Sequence, residues 1–188
     1  MKRLLICIVF ALFGWSIQAQ NDFEKETIRL LPESELIISG STNVNKFHCE
    51  FDIDLISDSK QVKFLHEQDL IKFYNLQLNL LTKGFDCGNK KMNSDFQDLL
   101  KSDSHPQIVI DVVQVRYLAS EEPVAQIRVE LAGQTNHYKL PVQIHEHRFK
   151  GKFSMNIRDF GLEPPKKALG LIIVDEHIEV AFDLKLAR

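Results

Sequence analysis

Two runs of near-perfect alternation close to the C-terminus constrain this chain more than any other feature. Phe149, Gly151, Phe153, Met155 and Ile157 alternate with Lys150, Lys152, Ser154, Asn156 and Arg158. Ile178, Val180, Phe182, Leu184 and Leu186 alternate with Glu179, Ala181, Asp183 and Lys185. Successive side chains on a strand point to opposite faces, so each run carries one apolar face and one polar face. That is the pattern of an antiparallel sheet packed on one side only. Two such strands cannot hide their apolar faces alone, so the rest of the chain has to supply more strands of the same kind.

It does so at hairpin-like spacing. A charged arm from Asn21 to Pro32 carries a short strand at Thr27 to Leu31, and Glu35 to Ser41 makes the next. Phe47, Cys49, Phe51, Ile53 and Leu55 then alternate with His48, Glu50, Asp52 and Asp54, predicting a strand over the whole stretch. Ser57 to Leu70 reads as a long polar loop, or a loop with a brief strand. Tyr74, Leu76, Leu78 and Leu80 alternate with Asn75, Gln77 and Asn79. Further strands follow at Ile108 to Val112, Ile127 to Leu131, Tyr138 to Ile144 and Arg148 to Arg158, and Ile178 to Leu186 brings the number to about eight. Pro141 lacks an N–H on the polar-side register, which predicts an edge strand or a bulge. One short helix interrupts the strands. Ser94 and Gln97 have capping-box spacing, and Met92, Phe96, Leu99 and Leu100 form a single apolar stripe before Pro106.

The fold class is therefore all-β with one short helix. Eight alternating strands make either a closed antiparallel barrel or a two-sheet sandwich, and spacing alone does not separate them. The choice bears on function, because an eight-stranded barrel has an interior that side chains fill or that holds one small ligand.

The first residues read as a separate element. Lys2 and Arg3, the apolar run Leu4 to Phe13 and Ile17-Gln18-Ala19 have the layout of a secretory signal peptide over residues 1–19, which places the domain at 20–188 and predicts that it is exported. No later run is long enough to span a bilayer, so no stable membrane insertion is expected. Without Lys2 and Arg3 the 23 basic residues become 21 against 26 acidic ones, a net charge of −5. An acidic chain without a basic stripe argues against nucleic acid as a partner. Cys49 and Cys87 are the cysteines left beyond the leader, and in an exported protein they are expected to form a disulfide.

The faces predicted to point inward hold almost no polar chemistry. They carry Phe47, Phe51, Ile53, Leu76, Leu78, Ile110, Val129, Leu140, Val142, Phe153, Met155, Val180, Phe182 and Leu184. A filled core is the plain reading of such residues, and a ligand cavity the functional one. His145 and His147 share a face at i and i+2, as some zinc sites require, but two ligands do not make a site and both fall where the chain must reverse. Asp159-Phe160-Gly161 has neither a phosphate loop nor a catalytic loop to accompany it, and no serine stands in a nucleophile elbow. No catalytic or metal-binding residue is expected.

Several pieces together resemble the YceI-like lipid/polyisoprenoid-binding family. They are Ser39-Gly40-Ser41-Thr42-Asn43-Val44-Asn45-Lys46-Phe47, the helix Met92 to Leu100 followed by His105-Pro106-Gln107-Ile108, and Leu131-Ala132-Gly133-Gln134-Thr135 with Leu140-Pro141-Val142. Asp159-Phe160-Gly161-Leu162 and Asp175 to Leu184 complete the set, in order over nearly all of the domain. The resemblance implies an exported bacterial protein with an antiparallel eight-stranded, lipocalin-like barrel. It implies an apolar lipid inside, such as an isoprenoid quinone or polyprenyl chain, with no further cofactor and no catalytic residues. The Cys49/Cys87 pair and the polar stretch from Ser57 to Leu70 are not general features of that family. On this reading the protein is a binding protein that carries or sequesters lipid. The alternatives are a ligand-free barrel or sandwich that serves as an interaction module, and a metal-dependent hydrolase using His145 and His147.

Overall fold

In the computed structural model the two alternating runs lie side by side as β11 (Arg148–Asn156) and β14 (His177–Ala187), with Gly151 opposite Phe182 and Phe153 opposite Val180. The structure describes residues 23–56, 59–119, 121–167 and 171–187, and the expected leader at 1–19 lies outside them. Before β11 come three long strands joined in sequence, β8 (Gln107–Leu118), β9 (Glu121–Leu131) and β10 (Gln134–His145). Together these five form an antiparallel wall in the order β8-β9-β10-β11-β14.

The free edges of β8 and β14 are each shared by two strands, and the wall closes on itself by two routes. On β14, residues Glu179 to Asp183 pair with β2 (Glu35–Ser41), and Leu186 and Ala187 pair with β1 (Glu24–Leu30). On β8, Gln107 to Asp111 pair with β6 (Gln77–Leu81), and Gln114 to Arg116 pair with β5 (Leu70–Phe73). β4 (Lys60–Glu67) joins β1 to β5 and closes a ring of antiparallel strands, β1-β4-β5-β8-β9-β10-β11-β14. At the other end β2 pairs with β3 (Lys46–Phe51), and β3 pairs with β7 (Phe85–Asp86). A 3-10 turn at Thr82–Gly84 carries the chain from β6 to β7, so the wall is completed there by the chain rather than by a ladder. The helix α1 (Lys90–Leu99) follows directly. Two-residue strands β12 (Lys166–Lys167) and β13 (Ile172–Ile173) form a separate small ladder.

The eight-stranded barrel agrees with the sequence reading, and the exceptions have local causes. The strand expected to run from Phe47 to Leu55 stops at Phe51. Asp52 accepts the N–H of Asp54 and turns Ile53–Leu55 into a 3-10 turn. The stretch from Ser57 to Leu70 contains β4, a full strand. The alternation from Tyr74 to Leu80 breaks at Asn75, whose side chain accepts the Lys63 N–H and donates to the Gln61 carbonyl across on β4. Asn89, not Ser94, caps α1, accepting the Met92 N–H at 3.0 Å. Pro141 is in a central strand, and the β10–β11 ladder ends beside it at Val142 opposite Gly151.

Candidate ligand cavity

Register decides which residues face inward. Leu36 on β2 lies opposite Phe182, Ile38 opposite both Val180 and Cys49, and Gly40 opposite Phe47. Those side chains converge from β2, β3 and β14 on the interior, together with Phe153 and Met155 from β11, Ile108 and Ile110 from β8 and Val129 and Leu131 from β9. The interior is mostly filled. A cavity of about 60 Å³ remains at the end closed by the chain crossing. Its walls also include Leu80 from β6, Phe96 and Leu99 from α1, the adjoining Leu100, and Ile178. All of these are apolar. Asp175, an exposed residue, also borders the cavity and marks a side on which it approaches solvent.

Of the residues singled out from the sequence, Phe47, Ile110, Val129, Phe153, Met155 and Val180 meet at this cavity. The others are placed elsewhere. Phe51 packs edge-on against Phe85 with ring centroids 5.0 Å apart, and Ile53 is buried in the 3-10 turn. Leu76 sits at the break between β5 and β6, and Leu78, opposite Ile110, packs on the core. Leu140 and Val142 are buried in the filled part of the interior, which Leu184 packs against. Phe182 lays its ring over Gly151, where an added Cβ would come within 2.6 Å of it. Glycine there makes room for the ring beside β11.

A short amphipathic helix of this kind is expected to pack across the sheet or close one end of it, and α1 does so; Phe96 and Leu99 as lining residues were not among those singled out. In the structure Met92, Phe96 and Leu99 lean on the core half-buried, and no residue of α1 is fully buried. The helix is held at its start instead. Cys49 on β3 and Cys87, just before α1, are joined by a disulfide, and Asn93 accepts the Cys87 N–H at 2.7 Å. Asn93 also donates to Asp86, which takes the Gly88 N–H as well, and these bonds hold the Asp86 carboxyl below its ordinary pKa.

Beside the cavity, residues 171–175 run along the tip of the β2–β3 hairpin. Asn43 donates from its backbone to the Ile173 carbonyl, accepts the Ile173 N–H at its side-chain oxygen, and donates from Nδ2 to the Leu171 carbonyl. This clamp leaves Val44, Leu171 and Ile173 exposed, at 66%, 76% and 52%, as an apolar lip. Farther along, Glu176 takes Arg158 at 2.5 Å and Asn156 at 3.1 Å, and both bonds hold its carboxyl below the ordinary range.

His145 and His147 flank Glu146 at the exposed β10–β11 turn, where Glu146 has a φ of 53°. Among the described residues no three His, Cys, Asp or Glu side chains gather as a metal site requires. Asp159 and Phe160 belong to a 3-10 turn over Ile157–Phe160 that ends at Gly161 in the left-handed region, with Phe160 fully buried.

A family model described as the YceI-like domain matches residues 33–186. No curated protein matches the chain. Among solved structures, BcnA of Burkholderia cenocepacia superposes with a TM-score of 0.64 at 18% identity, over 83% of this chain and 97% of its own. A domain from Saccharophagus degradans, described as polyisoprenoid binding and implicated in plant cell wall breakdown, superposes with a TM-score of 0.56 at 14% identity, over 85% of this chain and 97% of its own. At these identities the likeness is one of fold.

Proposed function

Because the chain belongs to the YceI-like domain family, we propose that it binds an apolar, isoprenoid-type lipid inside the barrel and performs no chemistry on it. The leader at 1–19 would export it to the periplasm, where it carries or sequesters that lipid. The observation that carries this reading is the apolar lining of the cavity, interrupted only by Asp175 on its solvent side and contributed by strands of the wall and by a helix without one fully buried residue. The description of the Saccharophagus degradans domain as polyisoprenoid binding supports the choice of ligand class. Affinity would come from burial of the lipid chain, at about 25 cal/mol per Å² of apolar surface removed from water.

The size of the cavity sets a condition on this reading. At about 60 Å³ it is well below the roughly 300 Å³ at which ligand pockets usually begin. A bound chain therefore requires expansion, by rotation of Phe47, Phe96 and Phe153 and an outward shift of α1. The strand wall is fixed by its ladders, whereas the helix rests on half-buried side chains and gives way first. The tight interior also favours a second reading, in which the domain holds no ligand and acts through its surface.

Solvent extraction of protein purified from the periplasm, followed by mass spectrometry, separates the two. A stoichiometric isoprenoid supports binding, and an extract without lipid supports the surface module. Val129→Phe sharpens the test. It adds bulk at the cavity wall at a cost of about 1–3 kcal/mol, and is expected to remove the lipid while unfolding stays cooperative. Full lipid content in that variant would place the ligand elsewhere.

A further inference from the structure

Tyr138 stands on the inner face of β10 in the same register as the buried Leu140 and Val142, and lies opposite Ile127 on β9. It occupies the place where the wall parts. Beyond Pro141 the β10–β11 ladder has ended, and the rings of Tyr138, Phe153 and Phe160 fill the opening, with centroids 5.4 Å and 6.4 Å from Tyr138. Asn136 holds the far side together by donating to the Asp159 carbonyl at 2.9 Å. The Tyr138 hydroxyl is sealed from solvent inside this aromatic packing and makes no hydrogen bond with any described residue. Buried polar groups are almost always hydrogen-bonded, so an unbonded one in an apolar interior calls for a partner.

Phe153 connects this hydroxyl to the cavity, since its ring lines the cavity and also packs on Tyr138. We propose that the Tyr138 hydroxyl is the polar contact for the lipid inside the barrel, donating to a neutral acceptor oxygen at the end of an isoprenoid chain. This rests on the lipid-binding reading above and narrows it to alcohols, ethers and carbonyl compounds. Burial and the nearby Asp159 carboxylate push the phenol up to about 12, so it keeps its proton and acts as a donor. The same surroundings select against a charged head group. A diphosphate entering here would meet the Asp159 charge and lose its water, with no buried cation among the described residues to replace it. A pure hydrocarbon would leave the hydroxyl unbonded, as it is now.

Three probes with one tetraprenyl chain test the proposal on the full-length protein: the alcohol, its diphosphate and the oxygen-free hydrocarbon. The native protein is expected to bind the alcohol about fivefold to tenfold more tightly than the hydrocarbon, the range one net hydrogen bond supplies. Tyr138→Phe should weaken the alcohol by that factor and leave the hydrocarbon unchanged. If the alcohol keeps its preference in Tyr138→Phe, or the native protein prefers the diphosphate or draws no distinction, the proposal falls while lipid binding stands. If no probe binds, both fall. Should Tyr138→Phe fail to fold, the native protein still decides the matter. Tyr74 and Tyr117 are exposed, so a change in tyrosine hydrogen bonding seen by ultraviolet Raman with the alcohol but not the hydrocarbon reports Tyr138. Equal spectra with both bound would overturn the assignment.

Discussion

At one end of the barrel β1, β4 and β5 complete the wall by hydrogen bonds, from Leu30 against Leu186 to Ile71 against Val115. At the other, β2, β3 and β7 reach toward β6, and the chain itself makes the last step at Thr82–Gly84. Both ends draw on strands with an apolar inner side, yet they close differently, and the cavity lies at the second. A ladder fixes the distance between neighbouring strands at about 4.8 Å and leaves no freedom to widen. A covalent crossing, a disulfide and a helix laid over the gap hold the wall together without fixing that distance. The second end is therefore the one free to widen.

The largest effect expected from breaking this arrangement is loss of the disulfide. Cys49 and Cys87 are separated by 38 residues, and opening a loop of that length should cost about 4 kcal/mol in the chain-entropy picture. Cys49→Ala with Cys87→Ala avoids placing polar atoms at two buried positions. Denaturant unfolding should record the loss. Amide exchange should speed up in β3, β7 and α1 while β1, β4 and β5 keep their protection. A uniform rise in exchange would mean that the two ends do not open independently.

Leucine truncations compare the ends directly. Leu30 is 9% exposed and joins β1 to the core, so Leu30→Ala should cost about 2–4 kcal/mol. Leu99 on α1 is half-buried, and Leu99→Ala should cost about 1 kcal/mol, since its side chain has less surface to lose. Equal losses in urea unfolding would show that α1 is bound as firmly as a strand.

What could be read in advance follows the same division. β2, β11 and β14 announce themselves because every second residue is apolar and each packs on one side only. β4 does not. Its inner register holds Val62 and Phe64 between Lys60 and His66, too little apolar surface to mark a strand, and it forms because β1 and β5 offer it ladder partners. Ile53 continued the alternation, but the cap formed by Asp52 outweighed it. Asn89 and Ser94 both have capping chemistry, and the helix starts at Asn89, two residues past the bridged Cys87. Phe47, Val129 and Phe153 could be placed on inner faces, but not at one cavity, since that depends on which strands share the edges of β8 and β14. The orphaned hydroxyl of Tyr138 carried no signal, because an inward tyrosine differs from phenylalanine only once its surroundings are known.

The smallest expected effect concerns the points where the two ends divide. On β14 the edge passes from β2 to β1 between Asp183, opposite Glu35, and Leu186, opposite Leu30. The turn between those strands bonds to Lys185, whose carbonyl accepts the Leu31 N–H at 2.8 Å and whose N–H donates to the buried Ser34 hydroxyl at 2.9 Å. On the outer face Asp183 takes Arg148 at 2.6 Å and Lys150 at 2.9 Å. β8 repeats the device, with Asp111 as the last residue paired to β6 and Arg128 of β9 bonded to it at 2.9 Å. The Arg148 hydrogen bond, reinforced by Lys150, holds the Asp183 carboxyl far below the ordinary value of 3.8. A carboxylate whose pKa is lower folded than unfolded contributes stability above the unfolded value and loses it as pH falls through that value toward the folded one. Asp183→Asn should therefore cost about 0.5–1 kcal/mol at neutral pH, kept small because Arg148 is 45% exposed and solvent screens the pair. The gap between native protein and variant should shrink as pH drops below about 4, and shrink again in high salt. Urea midpoints across that range give the answer. A gap that stays constant at low pH would assign the loss to packing, and the hydrogen bonds at Ser34 and Lys185 would then hold the division without help from the ion pair.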